Sequence, residues 1–587
     1  MSEKDVNGDA VFGMDVDTGA EEDNGRKRGV LETVKHKLTT KNGLIGDYDY
    51  KDLCMPRIPF TKMSQSPSVF FGLHDSLPLL VGILMGFQHA LAMVGGVITV
   101  PRILAGAGPN HLQLDPETAA YLVSSSLIIS GLMSFVQILR FRLVKGYYIG
   151  TGLISLSGTS FTFLPIAEAA IQSMRDDGFC PTEGPCPQAY GRWLGTVAVG
   201  ALLEIGLSFV PNKALRRVFP PVVTGTTVFL IGASLVGTGI SYWAGGAGPC
   251  KEAALPFFER CPNVAAEKSF PWGDAHWIGL GFFVLAIIIL VEIFGSPFLR
   301  NTQIMVGLIA GIILSAALNF LNQEAIDSAP WITFLWVRTF GISFYVPALI
   351  PVLIGYAVST VETVGDITAS CEASRVETVG PMFESRVQGG LLADGVNSVI
   401  SALMTGNPTT TFSQNNAVIA MTRTANRYAG IWAAIWLLLF GIVGKIGGIF
   451  IAIPDAVLGG MTTFLFANVT VSGIRILSGL KWERRDRFIL AVALAVGLGV
   501  VIVPETFRSF IPDSESEVVR AFTNGVEIML STGYCIGAII ASLLNFVVPH
   551  ENEALNADKL VGKDYSEAKN AEISDDVEVD RSEVSLS

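Results

Sequence analysis

The chain has 587 residues, 50% hydrophobic and only 16% charged, with a mean hydropathy of +0.49. Soluble domains carry about 25% charged residues, so this composition excludes an ordinary soluble protein and indicates a polytopic membrane protein. The net charge of −12 sits in the ends: residues 1–30 hold eight acids against four bases, and residues 551–587 eleven against four. The body is near neutral, with no basic footprint for nucleic acid.

Residues 1–36 are polar and acidic and read as a disordered cytosolic tail. Their basic quartet Gly25–Arg28 is a solvated run or a weak contact with anionic lipid. The N-terminus lacks an apolar h-region, so no cleavable signal peptide is expected. Gly46–Tyr50, GDYDY, is either a folded pre-membrane segment or a sorting signal. Apolar segments then start near Leu77, Ala119, Tyr148, Trp193, Pro220, His276, Thr302, Val346, Gly389, Thr409, Ala429, Ile453, Arg487 and Phe522. That makes about fourteen, some short or broken. The high glycine count, 61, suits close helix packing in a membrane.

Short loops assigned to the cytosol carry the bases: Arg140, Arg142 and Lys145; Lys213, Arg216 and Arg217; Arg375 and Arg386; Lys481, Arg484, Arg485 and Arg487. The outer loops carry fewer and include acidic Pro512–Glu517, which places both termini inside. The seven cysteines form no C-x-x-C pair, so no metal or redox motif is expected. Cys180 with Cys186, and Cys250 with Cys261, lie in the two longest outer loops, where each pair can form a disulfide or stay free. Asn468-Val469-Thr470 spells a glycosylation sequon but falls in a span and is discounted.

The third segment, Tyr148–Phe163, and the tenth, from Asn407, stand apart. Both are too polar for an ordinary span, and each lies third in a run of seven. In Asn407–Asn426, Pro408 and the Thr409–Thr411 run disfavour helix, whereas residues after Ser413 suit one, with Ser413 as N-cap. Such a sequence reads as an extended piece followed by a half-helix inside the bilayer. Non-helical backbone at that depth is tolerated only beside a cavity or within protein, and interrupted segments at matching places in two halves mark the substrate site of an inverted-repeat transporter. An odd number of spans per repeat requires the second to be inverted. Glu362 and Asp366 lie one helical turn apart in an apolar span, and Asp394 lies in the next; ionisable groups there are functional candidates by default.

Gln414-Asn415-Asn416-Ala417-Val418-Ile419-Ala420-Met421-Thr422-Arg423 resembles the signature of the nucleobase–ascorbate transporter family, Q/E/P-N-x-G-x-x-x-x-T-R/K/G, with Ala417 in place of the family's glycine. Gln88-His89, Glu362 with Asp366, Asp394 in LADGVNS and the GLIGDYDY stretch match as well. The resemblance runs from Leu38 to Pro549 and is nearest to fungal uric acid–xanthine permeases. It implies an all-α polytopic fold of about 14 segments in two inverted repeats of seven. Spans one to four and eight to eleven would form a substrate-holding core, and the others a gate and a homodimer interface. The chain then divides into a cytosolic and pre-membrane part (1–70), a first repeat (71–320), a second repeat carrying the 414–423 signature (321–549) and an acidic cytosolic tail (550–587).

The implied activity is proton-coupled import of oxidised purines, xanthine and uric acid, across the plasma membrane by elevator-like alternating access. It is not an enzyme: there is no nucleophile–base pairing and no metal cluster, and the proton replaces any cofactor. A xanthine-like ring carries N–H donors beside carbonyl acceptors, so Glu362 and Gln414 suit its opposite edges. Phe161 is the stacking candidate, with core packing as the plainer alternative. The resemblance assigns substrate binding to the same three residues, with backbone amides near Phe161 and Ser413. Asn415 and His89 are expected to support the pocket. Asp366 and Asp394, carboxylates in low dielectric, suit proton carriage or a structural network. Arg423, Thr532 and Tyr534 are the specificity or gating candidates. Relatives carry Phe where Tyr534 stands, and its hydroxyl puts a filter role in question. Ala417 is expected to favour helix and tighten packing beside the pocket. Glu204, Glu292, Lys445 and Glu527 also lie in spans, without an assigned transport role. Competing readings keep the fold with uracil, hypoxanthine or guanine as cargo, or make the chain a transport-inactive nutrient sensor. Gln414 argues against ascorbate, whose transporters carry Pro there, and the amide–carboxylate pair argues against anion exchange.

Overall fold

The computed structural model describes residues 22–23, 26–27, 39–56, 69–108, 110–143, 146–181, 184–246, 270–507 and 517–549. Most of the two acidic tails, Lys145, Cys250, Cys261 and most of Pro512–Glu517 lie outside these residues.

The described chain is mainly helical. Six helices are long and apolar enough to cross a membrane: Leu79–Leu104, Pro116–Ile138, Pro221–Trp243, Ala275–Phe294, Val346–Ala373 and Asp455–Ser478. The bent pair Val519–Ser531 and Gly533–Val547 adds a seventh if taken together, and Gln303–Ala317 and Arg427–Ile442 are shorter apolar helices. Pro187–Leu207, Pro381–Leu403 and Arg484–Ile502 complete the large helices. The anticipated segment starts fall within about two helical turns of an element. Many large apolar side chains, Phe282, Ile313 and Phe546 among them, are exposed, as lipid-facing positions require.

Helix pairings recur between the two halves. Pro116–Ile138 packs on Arg427–Ile442, as Pro187–Leu207 packs on Pro381–Leu403. Leu79–Leu104 packs on Arg427–Ile442, as Leu349–Ala373 packs on Pro187–Leu207. Pro221–Trp243 and Asp455–Ser478 pair with each other more extensively than any other two helices. This last contact is backbone against backbone. A Cβ on Gly459 would collide with the backbone nitrogen of Trp243, and one on Gly232 with that of Thr470. With no hydrophobic drive between helices in lipid, close approach through small residues supplies the packing.

At the centre, two short strands, Ser157–Thr159 and Thr409–Thr411, pair antiparallel with Gly158 opposite Thr410. Ser160 N–H donates to Pro408 O and Phe412 N–H to Leu156 O, both at 2.9 Å, extending the pairing past its ends. Each strand thus satisfies the backbone of the other, without which extended chain at this depth would be prohibitively costly. The first runs through a 3₁₀ turn, Phe161–Phe163, into the helix Leu164–Asp176, and the second into the helix Gln414–Thr422.

The loop that follows Leu164–Asp176 is tied by a Cys180–Cys186 disulfide. GDYDY belongs to a folded segment: Tyr48 is buried, stacks edge-on with Tyr50, and donates its hydroxyl to Thr422 O at 3.3 Å.

Candidate substrate site

The strand pair delivers the predicted residues to one place. Thr409–Thr411, expected only to break a helix, also supplies hydroxyls. Asp394, fully buried on Pro381–Leu403, accepts from Thr363 Oγ1, from Thr410 Oγ1 at 3.4 Å and from Gln137 Nε2 at 3.4 Å. Asp366 Oδ2 accepts from Thr411 Oγ1 at 3.1 Å. Glu362 Oε2 accepts from Thr162 Oγ1 at 3.3 Å. Three carboxylates are therefore each tied by threonine hydroxyls to a strand or its adjoining turn. Their charged forms are only lightly supported, since no basic side chain donates to any of them in these contacts.

Phe161, Glu362, Asp366 and Gln414 are only part-buried, although the strands beside them are fully buried. All four lie on the strand pair's flanking turn and helices. Phe161 stacks on Phe412 at a ring separation of 6.2 Å and meets Phe466 edge-on at 5.5 Å. Gly96 and Gly158 make room for that arrangement: a Cβ on either would come within 2.7 and 2.8 Å of the Phe412 ring. Phe161 is thus one face of an aromatic pair and is part-buried.

Gln414 is the first residue of its helix, so its amide emerges where backbone N–H groups are unpaired and the helix dipole is positive. Asn415 turns inward. Its Oδ1 lies 3.0 Å from His89 Nδ1, and its Nδ2 donates to Phe412 O at 3.4 Å. His89 and Asn415 therefore brace the helix start. Asn416, passed over in the sequence, joins this helix to Leu349–Ala373: its Nδ2 donates to Asp366 O, and Ser370 Oγ donates to its Oδ1 at 2.6 Å.

Two expectations, for Ser413 and Ala417, are corrected. Ser413 occupies the N-cap position, but with helical backbone (φ −62°, ψ −25°) and no side-chain capping bond, and it is exposed. The capping bond is missing because a cap side chain needs extended backbone to reach the N2 or N3 amide. Ala417 is exposed, so its methyl tightens nothing beside the site. Tyr534 is fully buried, and its hydroxyl donates to Thr162 O at 2.6 Å, which occupies it structurally. Through Thr162 it reaches the group that holds Glu362. Thr532 is buried and donates back to Ile528 O within its own turn. Arg423 ends the signature helix in left-handed conformation, φ +56°, and its backbone oxygen accepts from Phe71 N–H at 2.9 Å.

Thr162, Thr363, Thr410, Thr411 and Gln137 were missed as site residues. The threonine run was visible as a chemical anomaly in a span; Gln137 gave no signal, being one polar residue at the end of an apolar helix.

A polytopic helical body with a hydroxyl-lined carboxylate cluster at its centre is that of a membrane permease. A permease-family model matches residues 82–506, and the chain belongs to that family, the nucleobase–ascorbate transporters. It is 45% identical over 533 residues to the uric acid–xanthine permease of Emericella nidulans, covering 90% of this chain and 91% of that one. It is likewise 45% identical over 527 residues to the purine permease of the same organism, covering 88% and 90%. With the xanthine permease XanQ of Escherichia coli K12 it shares 36% identity over 481 residues, 82% of this chain and 94% of that one. Among solved structures it is similar to the transmembrane domain of the cyanobacterial bicarbonate transporter BicA, at 17% identity and a TM-score of 0.49, covering 74% of this chain and 99% of that one.

Proposed function

We propose that the chain is a proton-coupled symporter that imports oxidised purines, xanthine and uric acid, across the plasma membrane. The observation that carries this reading is the strand pair to which threonine hydroxyls tie Glu362, Asp366 and Asp394, with Phe161 and Gln414 part-buried at its two exits. Glu362 accepts from the ring N–H groups of the purine, and Gln414 donates to a ring carbonyl. Phe161 covers one face, and unpaired backbone amides near Phe161 and Ser413 serve the remaining acceptors. The names of the similar fungal and bacterial permeases support a purine cargo.

Asp394 and Asp366 carry or relay the coupled proton, and Arg423 acts in gating. The recurring helix pairings support fourteen segments in two inverted repeats of seven. The strand-bearing core moves against a gate built on Pro221–Trp243 and Asp455–Ser478, which also forms the homodimer contact. Both termini face the cytosol.

Uptake of radiolabelled xanthine into cells lacking their own purine carriers tests the reading, with unlabelled uric acid, hypoxanthine, guanine and uracil as competitors. Accumulation should collapse with an uncoupler and ignore sodium. Sodium-dependent accumulation would overturn the proton assignment, and preferential competition by uracil the purine one. A surface-resident chain that moves none of these would be a sensor.

A further inference from the structure

Glu204 lies near the end of Pro187–Leu207 and is fully buried, with neither carboxyl oxygen hydrogen-bonded to a neighbour. No other acid among the described residues is both fully buried and unpaired at both oxygens. Its helix meets Pro381–Leu403 at a close crossing: a Cβ on Gly395, adjacent to Asp394, would lie 2.9 Å from the backbone nitrogen of Ile205, adjacent to Glu204. The charged groups that face Glu204 are also acids, Asp394 and Glu362. Ser359 faces it from Leu349–Ala373, and the Tyr356 hydroxyl nearby is committed to Val197 O at 2.9 Å. The nearest base on the Asp394 helix, Arg386, is two turns away and donates to Thr151 O at 2.8 Å.

A carboxylate without a cation, whose one neighbouring hydroxyl, Ser359, is already engaged with Thr410, and which lies beside another carboxylate, is among the least tolerable charges a protein can hold. A protonated carboxyl removes most of that cost and gains a donor. Hydroxyls already bridge the space: Ser359 Oγ donates to Thr410 Oγ1 at 3.5 Å, and Thr410 and Thr363 both donate to Asp394. We propose that Glu204 and Asp394 form a two-carboxyl site that holds a proton in this conformation and passes it through Asp394 toward the substrate space during transport. The proton leaves the Glu204 carboxyl as a carboxylate forms there, and Asp394 becomes the acid; no other species changes. This rests on the proton-symport reading and adds to it a carboxyl to which no role has been given.

The test uses the full chain reconstituted in liposomes, with labelled xanthine and an internal pH dye. One coupled proton multiplies accumulation by roughly tenfold per unit of pH gradient, so Glu204→Gln should lose about that factor. It should keep its xanthine affinity and its exchange at equal pH, and its uptake should lose pH dependence. Glu204→Asp should restore part of the coupling, which a purely structural role would not predict. Unchanged accumulation and pH profile in Glu204→Gln would overturn the pairing. On the parent protein, a hydrophobic carbodiimide, which attacks only protonated carboxyls, should modify Glu204 progressively less as pH rises. A Glu204 unlabelled at every pH, with other membrane carboxyls labelled, would also overturn it. A parent that takes up xanthine without proton entry would overturn the symport reading itself, whereas a coupled parent with an indifferent Glu204→Gln variant would overturn this proposal alone.

Discussion

Two regions of the molecule solve opposite problems of packing in a bilayer. The strand pair at the centre holds polar side chains where lipid offers them nothing. Its backbone is paired along the ladder between residues 157–159 and 409–411, and Thr410 and Thr411 donate to Asp394 and Asp366. The helix pair Pro221–Trp243 and Asp455–Ser478 packs by absence, glycines of one helix against the backbone of the other. The first region tolerates change in shape better than change in hydrogen bonding; for the second the reverse holds. Mutations that separate shape from polarity therefore test the distinction.

The largest effect is expected in the second region. Gly459→Val drives a branched side chain into the Trp243 backbone, where no flexible group can give way. Overpacking typically costs about 1–3 kcal/mol and more when backbone must move. The variant should be lost from the surface, or show a markedly lower melting temperature in detergent. Normal abundance would mean that the two helices separate more easily than their spacing suggests.

Next come changes of polarity at constant shape in the first region. Glu362→Gln removes the charged acceptor, and a hydrogen bond to a charged group is worth roughly 1.5–3 kcal/mol. Xanthine affinity should fall by about ten- to a hundredfold with surface abundance intact, as read by equilibrium binding. Gln414→Glu keeps size but loses the amide donors. About 1–3 kcal/mol for an unmade bond in a desolvated site predicts a loss on the order of tenfold. Unchanged affinity in both variants would place the purine elsewhere. Asp394→Asn keeps the shape again and should leave binding nearly intact while abolishing proton-driven accumulation.

Tyr534→Phe should have the smallest effect. It removes one hydroxyl from Thr162 O, about 0.5–1.5 kcal/mol, and leaves the ring packed. A few-fold change in uptake is expected, larger for ligands that lean on Glu362, because Thr162 holds that carboxylate. A wholesale switch of substrate would show that the ring, not the hydroxyl, governs entry.

The outline of both regions was legible in the sequence for different reasons. Pro408 and the threonine run announced an interruption because helix propensity and hydropathy both failed there. Glu362, Asp366 and Asp394 stood out because ionisable groups are rare in apolar spans. The donors that serve them did not stand out. A threonine in a membrane helix is unremarkable until its partner is known, and Thr363 and Gln137 reach Asp394 from helices far apart in sequence. Ser413 was misread because capping was inferred from residue type, whereas the cap depends on a backbone angle set by the preceding strand. The hydroxyl of Tyr534 put a filter role in question from the sequence, which could not show the Thr162 carbonyl it meets.

The pre-membrane segment places a constraint on how the protein is made. Tyr48 closes onto Thr422, and Phe71 exchanges backbone hydrogen bonds with Arg423 and Ala425. The Tyr48–Thr422 contact spans 374 residues. At roughly 5–20 residues per second, the ribosome needs on the order of twenty seconds to just over a minute to produce the second partner after the first. Throughout that interval Tyr48 has no acceptor and Phe71 no strand to join. The segment settles only after the signature helix has been synthesised, which makes its burial a timer that reports completion of the permease's centre.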